Sequence, residues 1–221
     1  MTDAAGGGWQ KGNSAVTSPK TVGRLSLYRR LLYTLQSEGE QNVFSHQLAA
    51  MARGTAAQVR RDLMAIGFSG SPSKGYDIQG LVESIGEFLD GPTRQNAALV
   101  GAGNLGKAIL TYFKGRRPKL AIVAAFDSDP RKTNRAIRGC PCYPIEDLAR
   151  VVRNEDICTG IITVPATQAQ HVADLLCRAG VRGLVNFAPV RLGTPAGVYV
   201  EDIDVTMVLE KAAYFARQTP E

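Results

Sequence analysis

A glycine-rich turn at residues 101–106, Gly-Ala-Gly-Asn-Leu-Gly, constrains the fold of this chain more than any other segment. It follows the apolar run at 97–100 and begins a segment with apolar residues at helical spacing, so it joins a strand to a helix. Gly101 permits the tight turn, Gly103 lets a pyrophosphate approach the backbone, and Gly106 lets the helix pack closely on the strand. Free N–H groups at the start of that helix receive the phosphates. The turn therefore predicts a dinucleotide-binding site.

An acidic residue at the end of the next predicted strand indicates which dinucleotide binds. Asp127 follows Gly106 by 21 residues, where a carboxylate accepts hydrogen bonds from ribose hydroxyl groups and repels a 2′-phosphate, so NAD(H) is favoured over NADP(H). A later apolar run ends at Thr163-Val164-Pro165, and open α/β sheets bind ligands at the carboxyl ends of their strands. The cofactor-binding residues predicted from these patterns are Gly101, Gly103, Asn104, Leu105, Gly106, Asp127, Thr163, Val164 and Pro165.

Strands and helices alternate along residues 95–204. Apolar runs predict strands at 97–100, 120–126, 160–164, 183–186 and 198–200, with helices between the first of them. Buried parallel strands have such continuous apolar runs. We therefore expect an α/β fold in which a doubly wound parallel sheet of the Rossmann type holds the dinucleotide. The helix after the glycine turn is expected to direct five side chains inward: Leu105, Ala108, Ile109, Tyr112 and Phe113.

Short helices occupy residues 19–92 instead. Helices are predicted from Pro19 to near Gly39, over 46–51 with Ser45 as the N-cap, and from Thr55 to Ile66. Residues 68–77, called the wing below, have the pattern of a hairpin, and Asp77 caps a fourth helix. This is the layout of a winged helix-turn-helix domain, in which the second helix of the pair enters the major groove of DNA. Gly91-Pro92 marks its end.

The charge of this N-terminal region is compatible with DNA but does not require it. Between Lys20 and Asp62 seven basic residues stand against three acidic ones, and a local basic face suits a polyanion. Charge alone favours a merely solvated surface. Three or four short helices are also common in domains that never contact nucleic acid. From the pattern alone, DNA binding and another role for these helices are equally supported.

Composition narrows the remaining classes of protein. The first 18 residues are rich in Gly, Ser, Thr and Ala without apolar periodicity, so we expect a flexible leader. Four cysteines indicate no disulfide framework, and Cys140-x-Cys142 lacks a second ligand pair, so no metal site is expected. No apolar run has the length of a membrane span and no secretory signal is present, so a cytoplasmic protein is expected.

The length of the chain argues against an enzyme. The predicted sheet uses nearly all residues from 97 to 204, which leaves no substrate domain. Hydride transfer also needs a proton donor or acceptor beside the nicotinamide, and neither His46 nor His171 is expected there. We predict no catalytic residue, and a basic helical domain before a cofactor domain indicates a sensor. The alternatives are a small NAD-dependent oxidoreductase with a helical dimerisation domain and a regulatory subunit that recruits a protein partner.

The order of these motifs resembles that of the Rex family of redox-sensing transcriptional repressors. The resemblance extends from about Pro19 to Phe215 and rests on the following segments: Arg24-Leu25-x-x-Tyr28, Gln58-Val59-Arg60-Arg61-Asp62-Leu63, Gly75-Tyr76, Val100 to Gly106, Phe126-Asp127-x-Asp129-Pro130, Thr163-Val164-Pro165, Asn186-Phe187-Ala188-Pro189-Val190 and Val200-Glu201-Asp202-Ile203-Asp204. It implies a homodimer that represses transcription from a palindromic operator. It also implies that NADH binding releases the double-stranded operator DNA, so that the protein responds to the NADH/NAD⁺ ratio.

The resemblance also implies roles for particular residues. Phe187 is expected near the nicotinamide as a further cofactor-binding residue, and the helix at 205–218 is expected to swap into the partner subunit. The implied DNA contacts are Gln58, Arg60, Arg61, Lys74 and Tyr76, and the implied polar network that differs between the two ligand states is Arg30, Tyr112 and Asp204. The residues alone support other interpretations. Phe187 and Tyr112 could be core residues, Arg30 a surface residue and Asp204 a helix N-cap. The last helix could pack on the sheet of its own subunit.

Overall fold

The protein is described by a computed structural model that covers residues 17–117 and 119–218. Residues 1–16 of the predicted leader lie outside the described residues. Ser18 is already part of the fold, because it is the N-cap of the first helix and its hydroxyl accepts the Thr21 N–H at 3.2 Å. The chain divides into two compact units, one up to Pro92 and the other from Thr93.

The described part of the N-terminal unit, residues 17–92, contains four helices and two short strands. Its elements are α1 (Pro19–Ser37), β1 (Asn42–Val43), α2 (Ser45–Met51), α3 (Ala56–Ala65), β2 (Tyr76–Asp77) and α4 (Ile78–Asp90). Strands β1 and β2 pair antiparallel, with Val43 opposite Tyr76. One core joins the helices and is formed chiefly by Leu25, Tyr28, Leu32, Leu48, Val59, Leu63, Leu81 and Ile85. The pattern of short helices therefore produces one packed unit.

Two of the three N-caps predicted for this unit are present in the structure. The Thr55 hydroxyl accepts the Gln58 N–H at 3.2 Å, and Asp77 Oδ2 accepts the Gly80 N–H at 2.6 Å, so both predicted N-caps are confirmed. The prediction for Ser45 is wrong, because α2 begins at Ser45 and its N-cap is Phe44. The Phe44 N–H instead donates to the side chain of Gln47 at 2.8 Å.

The wing closes in a narrow turn. Ser71 and Gly75 exchange two backbone hydrogen bonds of 2.8 Å each. Gly75 has a φ of +76°, and a Cβ at this position would lie 2.6 Å from the Val43 carbonyl oxygen. Only glycine therefore fits where the returning arm of the wing lies against β1.

The C-terminal unit is built around one seven-stranded sheet. Its elements are β3 (Gln95–Val100), α5 (Asn104–Phe113), β4 (Leu120–Asp127), β5 (Arg135–Ile137), β6 (Cys140–Pro144), a 3-10 turn (Ile145–Asp147), α6 (Leu148–Asn154), β7 (Ile157–Ile162), α7 (Ala166–Ala179), β8 (Gly183–Asn186), β9 (Tyr199–Asp202) and α8 (Val205–Ala216). The strand order is β5-β6-β4-β3-β7-β8-β9, and only β5 runs antiparallel to its neighbour. The six parallel strands thus have the order 3-2-1-4-5-6 of a Rossmann fold, which confirms the predicted α/β fold class.

Helices cover both faces of this sheet. Ala98 and Val100 belong to a core cluster that includes residues of α6 and α7, whereas Leu99 belongs to a second cluster with residues of α5. Alternate side chains of a strand point to opposite faces. Strand β3 is therefore buried on both sides, which explains its continuous apolar sequence.

Strands β5 and β6 were not predicted from the sequence. The segment Cys-Pro-Cys-Tyr-Pro of β6 has no long apolar run, and proline disfavours a strand within a sheet. Pairing nevertheless places Cys142 opposite Ala125 of β4, and both Cys140 and Cys142 are buried. The two thiols therefore contribute to the core.

The buried face of α5 differs from the predicted one. Ile109 and Leu110 are buried, whereas Leu105 and Tyr112 are 46% and 56% exposed. Ala108 is exposed as well. The prediction is wrong for these three because apolar residues surround α5, and only the position of the sheet decides which side is covered. An apolar stripe on α5 thus faces away from the core of its own unit.

Helix α8 buries none of its side chains. Its apolar residues are exposed to a high degree, including Val205 at 65%, Leu209 at 68% and Phe215 at 64%. The alternative that the last helix packs on its own sheet is therefore wrong in this chain.

Membrane-spanning helices and metal-ligand clusters are both absent from residues 17–117 and 119–218. No helix there combines the length and the apolarity needed to cross a membrane. No group of three or more His, Cys, Asp or Glu side chains is placed to hold a metal ion. Cys140 and Cys142 are free thiols.

Candidate functional site

The glycine turn between β3 and α5 has the geometry that a bound pyrophosphate requires. Gly101 has a φ of +101°, and a Cβ there would lie 2.7 Å from the Thr163 carbonyl oxygen. A Cβ on Gly106 would collide with the Gly101 carbonyl oxygen. A Cβ on Gly103, by contrast, would meet no protein atom within 4 Å. The fold therefore requires the first and last glycine, while Gly103 leaves open space at the N-terminus of α5, where phosphates bind.

Thr163 fixes the end of β7 against this turn. Its N–H donates to the Val100 carbonyl at 2.9 Å. Its hydroxyl lies 2.8 Å from the Gly101 carbonyl oxygen and 3.0 Å from that of Val100, and donates its single proton to one of them. The carboxyl ends of β3 and β7 are thus held together, as expected for a ligand site in an open α/β sheet.

Asp127 lies at the end of β4 and is 8% exposed. One carboxylate oxygen accepts the Ala102 N–H at 2.9 Å and the Lys132 ammonium at 3.0 Å, and the other accepts the Asp129 N–H at 2.9 Å. A carboxylate offers about four acceptor positions, so about one stays available for a ligand hydroxyl group. Asp127 therefore supports the glycine turn from within the protein and can contact a ribose in addition.

A cavity of about 450 Å³ opens at these strand ends. Six of the predicted cofactor-binding residues line it: Gly101, Gly103, Asp127, Thr163, Val164 and Pro165. The other four do not line it: Asn104, Leu105, Gly106 and Phe187. Gly106 is buried below the turn, and Phe187 is half-buried against the α5 side of the sheet. The cavity is within the usual size range of cofactor sites, roughly 300 to 1,000 Å³.

Sequence reasoning missed several residues that line this cavity, namely Ser128, Asp129, Lys132, Gln168 and His171. His171, which was not expected beside the nicotinamide, is one of the residues that line the cavity. Helix α7 begins directly after Pro165, so positions 168, 171 and 172 in its first two turns share the face toward the cavity. The helical spacing from Pro165 could have identified Gln168 and His171.

A buried polar network in the N-terminal unit orients α3 against α1. Asp62, 3% exposed, accepts hydrogen bonds from Arg24 Nε at 2.6 Å, Arg24 Nη2 at 2.8 Å, Tyr28 at 3.0 Å and Gln58 at 2.9 Å. Burial by itself raises the pKa of Asp62, but these donors outweigh burial and hold the pKa below its usual range. Burial, together with the bond to Asp62, raises the pKa of Tyr28 to about 12.

Exposed basic side chains on α3 and the wing form the candidate DNA surface. Arg60, Arg61 and Lys74 are exposed, and Arg60 donates to the Ser45 hydroxyl at 3.1 Å. Gln58 is half-buried because its amide binds Asp62. The expectation for Tyr76 needs correction, since its side chain is 8% exposed and packs in the core beside Phe68. Its ring supports β2 and offers little surface to DNA.

The three residues of the implied polar network belong to three different helices or helix ends. Arg30 is exposed on α1 of the N-terminal unit. Tyr112 is exposed on α5, with the Arg116 guanidinium 3.9 Å from its ring centroid, so it is not the core residue expected from the pattern alone. Asp204 is the N-cap of α8 and accepts the Met207 N–H at 2.9 Å. Their joint role remains a prediction.

Family comparisons match both units of the chain. Residues 17–63 match the family described as "Putative DNA-binding protein N-terminus", and residues 93–190 match the family described as "CoA binding domain". The redox-sensing transcriptional repressor Rex of Lactobacillus acidophilus is 38% identical over 195 residues, which cover 88% of this chain and 92% of that protein. The chain belongs to the Rex family of redox-sensing transcriptional repressors.

Solved Rex structures have the same fold. The structure of RSP, a Rex-family repressor, with β-NAD⁺ and operator DNA superposes with a TM-score of 0.84 at 29% identity, covering 92% of this chain and 94% of RSP. The structure of RSP with β-NADH superposes with a TM-score of 0.81 at 29% identity, covering 92% of this chain and 96% of RSP. As a Rex-family member, the chain is a transcriptional repressor and not an enzyme. This excludes the NAD-dependent oxidoreductase.

Proposed function

We propose that this Rex-family repressor binds operator DNA through α3 and the wing and binds NADH in the cavity beside the glycine turn. NADH binding weakens operator binding, so transcription is released when the NADH/NAD⁺ ratio rises. The observation that carries the proposal is the cradle between Gly101 and Gly106, with open space at Gly103 and the Asp127 carboxylate beside it. RSP, at 29% identity, has been solved with β-NADH and with β-NAD⁺ and operator DNA.

The residues of the cavity fit a dinucleotide by their chemistry. The N-terminus of α5 offers free N–H groups for a pyrophosphate, because Gly103 caps the helix without a side chain. Asp127 offers its remaining acceptor position to a ribose. A neutral nicotinamide ring suits an apolar surface, whereas the cationic oxidised ring would lose hydration there. Val164 lines the cavity and offers such an apolar surface. Phe187 does not line the cavity, and its place near the nicotinamide rests on the family resemblance.

The DNA-facing residues divide into two groups by their role. Arg60, Arg61 and Lys74 are exposed cations that contact phosphates or base edges. Gln58 lies at the start of α3, but its bond to Asp62 must break or be shared before its amide reads a base. The basic excess between Lys20 and Asp62 supplies the general attraction to DNA.

The working form is proposed to be a homodimer. Helix α8 buries nothing in its own chain, although Val205, Val208, Leu209 and Phe215 are all more than half exposed. An isolated 12-residue helix is marginal in water, so a partner surface must stabilise it. The exposed apolar stripe on α5 is a second surface that a partner subunit would bury. Two-fold symmetry of the dimer matches a palindromic operator, and exchange of α8 between subunits accounts for the high exposure of Val205, Val208 and Leu209.

For NADH binding to weaken operator binding, NADH must bind more tightly to the dimer state that binds DNA poorly than to the state that binds DNA well. A ligand shifts an equilibrium between two states only by the difference in its affinity for them. A tenfold weakening of operator binding takes about 1.4 kcal/mol of such preference, and a shift from about 99% bound to about 99% free takes about 5.5 kcal/mol. Arg30, Tyr112 and Asp204 are proposed to exchange partners between the two states. Exposed Arg30 and Tyr112 are free to do so, and Asp204 would release its cap on α8.

A DNA-binding titration tests this function. Fluorescence anisotropy of a labelled palindromic operator is measured at fixed salt with NADH, with NAD⁺ and with neither. We expect NADH to weaken binding by at least about tenfold relative to NAD⁺. The matched control is Arg153→Gln, which removes one exposed charge on α6 and does not line the dinucleotide cavity. Operator affinity that is the same with NADH as with NAD⁺ would refute the redox-sensing mechanism.

A further inference from the structure

A second cavity, of about 400 Å³, carries four basic side chains and no acidic one. We propose that this cavity, called the basic cavity below, binds a small organic polyphosphate of the nucleoside triphosphate class. It is a site separate from the dinucleotide cavity. The basic side chains that line it are Arg94, Lys114, Arg117 and Arg138.

The topology separates the two cavities. The basic cavity is lined by residues 120–122 at the start of β4, by Cys140 at the start of β6 and by the end of α5. The dinucleotide cavity is lined by Val100 and Asp127 at the ends of β3 and β4. Because β3, β4 and β6 run parallel, their starts and ends lie at opposite edges of the sheet. No lining residue is shared.

The four cations lack carboxylate partners within residues 17–117 and 119–218. None of them forms an ion pair there, and no Asp or Glu lines the basic cavity. Lys114 and Arg117 follow α5, where cations suit the C-terminal end of the helix dipole. Arg94 and Arg138 come from two other segments of the chain. The dipole of α5 therefore does not explain why these two cations line the cavity. Four like charges around one concavity repel one another and create a field that concentrates anions.

The backbone at Arg138 supports a role for its side chain. Arg138 and Gly139 form the two-residue turn between β5 and β6, with φ values of +53° and +84°. Turns with two positive φ values favour Asn, Asp or Gly at the first position, because a larger side chain is strained there. An arginine at this position brings a guanidinium to the basic cavity at the expense of backbone strain.

The basic cavity also has apolar side chains in its lining, which favours an organic ligand over inorganic phosphate. Leu110, Phe113, Leu120 and Ile122 line it together with the charged side chains. Small-molecule sites typically combine apolar walls with a few polar groups, and their volumes are of this size, about 300 to 1,000 Å³. A nucleoside triphosphate would place its phosphates among the four cations and its ring system against the apolar side chains.

The test uses the full chain with NAD⁺ at saturation, so that the dinucleotide cavity is blocked. ATP is the probe, and amide resonances of ¹⁵N-labelled protein report where it binds. We expect shifts at Gly115 and Gly139, which line the basic cavity, and none at Gly101 and Gly103. Calorimetry is expected to show tighter binding of ATP than of tripolyphosphate and weaker binding at high salt.

Variants of the cavity's basic residues test whether their charges bind ATP. Arg138→Asn is expected to lower ATP affinity by about tenfold, since it removes a charged contact, and to keep or raise Tm, because Asn tolerates positive φ. Lys114→Gln is expected to lower the affinity in the same way, whereas Arg153→Gln on α6 leaves it unchanged. The proposal is overturned if ATP shifts only the dinucleotide-site resonances, if Arg138→Asn binds ATP normally, or if tripolyphosphate binds as tightly as ATP. It is also overturned if unrelated duplex DNA, but not ATP, shifts Gly115 and Gly139.

Discussion

Tyr28 and Asp62 are joined across the interface of α1 and α3 by a hydrogen bond of 3.0 Å, with the tyrosine 2% and the aspartate 3% exposed. Arg24 binds the same carboxylate with two nitrogens. The helix that carries Arg60 and Arg61 is therefore oriented by a buried charge network as well as by apolar packing. An error in this network displaces the candidate DNA surface without altering any residue that contacts DNA.

Replacement of Asp62 is expected to destabilise the N-terminal unit. Asp62→Ala leaves Arg24 without its carboxylate and the Tyr28 hydroxyl without its acceptor, and breaking such a buried pair costs about 2 to 4 kcal/mol. Denaturant unfolding followed by circular dichroism measures the change. Asp147→Ala is the matched control, because it breaks a more exposed pair with Arg150 and is expected to leave stability nearly unchanged. Equal stability of the two variants would show that the network is unimportant.

Alkaline pH is expected to weaken the same unit. The pKa of Tyr28 is about 12 in the folded protein and about 10 in an unfolded chain. The unfolded chain therefore loses this proton at a lower pH than the folded protein does. Tyr28 contributes roughly 2 kcal/mol to the free energy of unfolding below pH 10, and this contribution is lost as the pH rises toward 12. The free energy of unfolding is measured from pH 9 to 12. Tyr28→Phe should remove this part of the pH dependence, and an unchanged slope would contradict the assignment.

Two glycine variants separate folding from cofactor binding. Gly103→Ala places its Cβ in open space at a φ of −75°, so stability is retained while NADH affinity falls by about tenfold, because the methyl group occupies the space of the pyrophosphate. Gly101→Ala forces a Cβ against the Thr163 carbonyl at positive φ, so it also loses about 1 to 3 kcal/mol of stability. Calorimetry with NADH and thermal unfolding measure both. Normal NADH binding by Gly103→Ala would place the dinucleotide elsewhere.

Helix α8 provides a test of the dimer. Leu209→Glu puts a charge in its most exposed apolar position and is expected to yield monomers with weak operator affinity. Lys211→Glu changes the charge of the same exposed helix without removing an apolar side chain, and is expected to stay dimeric. Sedimentation velocity gives the mass of each. A dimeric Leu209→Glu variant would move the interface away from α8.

Thiol reactivity is expected to differ sharply among the cysteines. Burial raises the pKa of Cys140 to about 11, and the pKa of Cys142 is also raised by burial. Since the thiolate is the reactive form, both should react slowly with a disulfide reagent at pH 8. Cys158 is exposed and should react first. Labelling followed by peptide mass spectrometry identifies the order, and Cys158→Ser should remove the fast phase. Rapid labelling of Cys140 would show that β6 opens readily.

Local signals made much of the fold predictable. The glycine turn, the N-caps at Thr55 and Asp77 and the apolar runs of β3 and β4 each depend on neighbouring residues, so the sequence alone indicated them. The boundaries were less accurate: β7 spans Ile157–Ile162 rather than 160–164, which leaves Thr163 and Val164 beyond the strand, free to line the cavity. Strand β6 was not predicted, because it is stabilised by pairing with β4, which is a long-range contact that local sequence patterns do not indicate.

The amino-acid sequence by itself determined the strand–turn–helix that cradles a dinucleotide, because glycine at 101 and 106 is required by backbone geometry that few other residues permit. Only the tertiary structure decided which residues surround that turn. Lys132 and His171 reach the cavity through parallel strands and a crossover helix. The buried side of α5 and the exposure of α8 were decided in the same way, because an apolar helix surface specifies that it must be covered but does not specify by what.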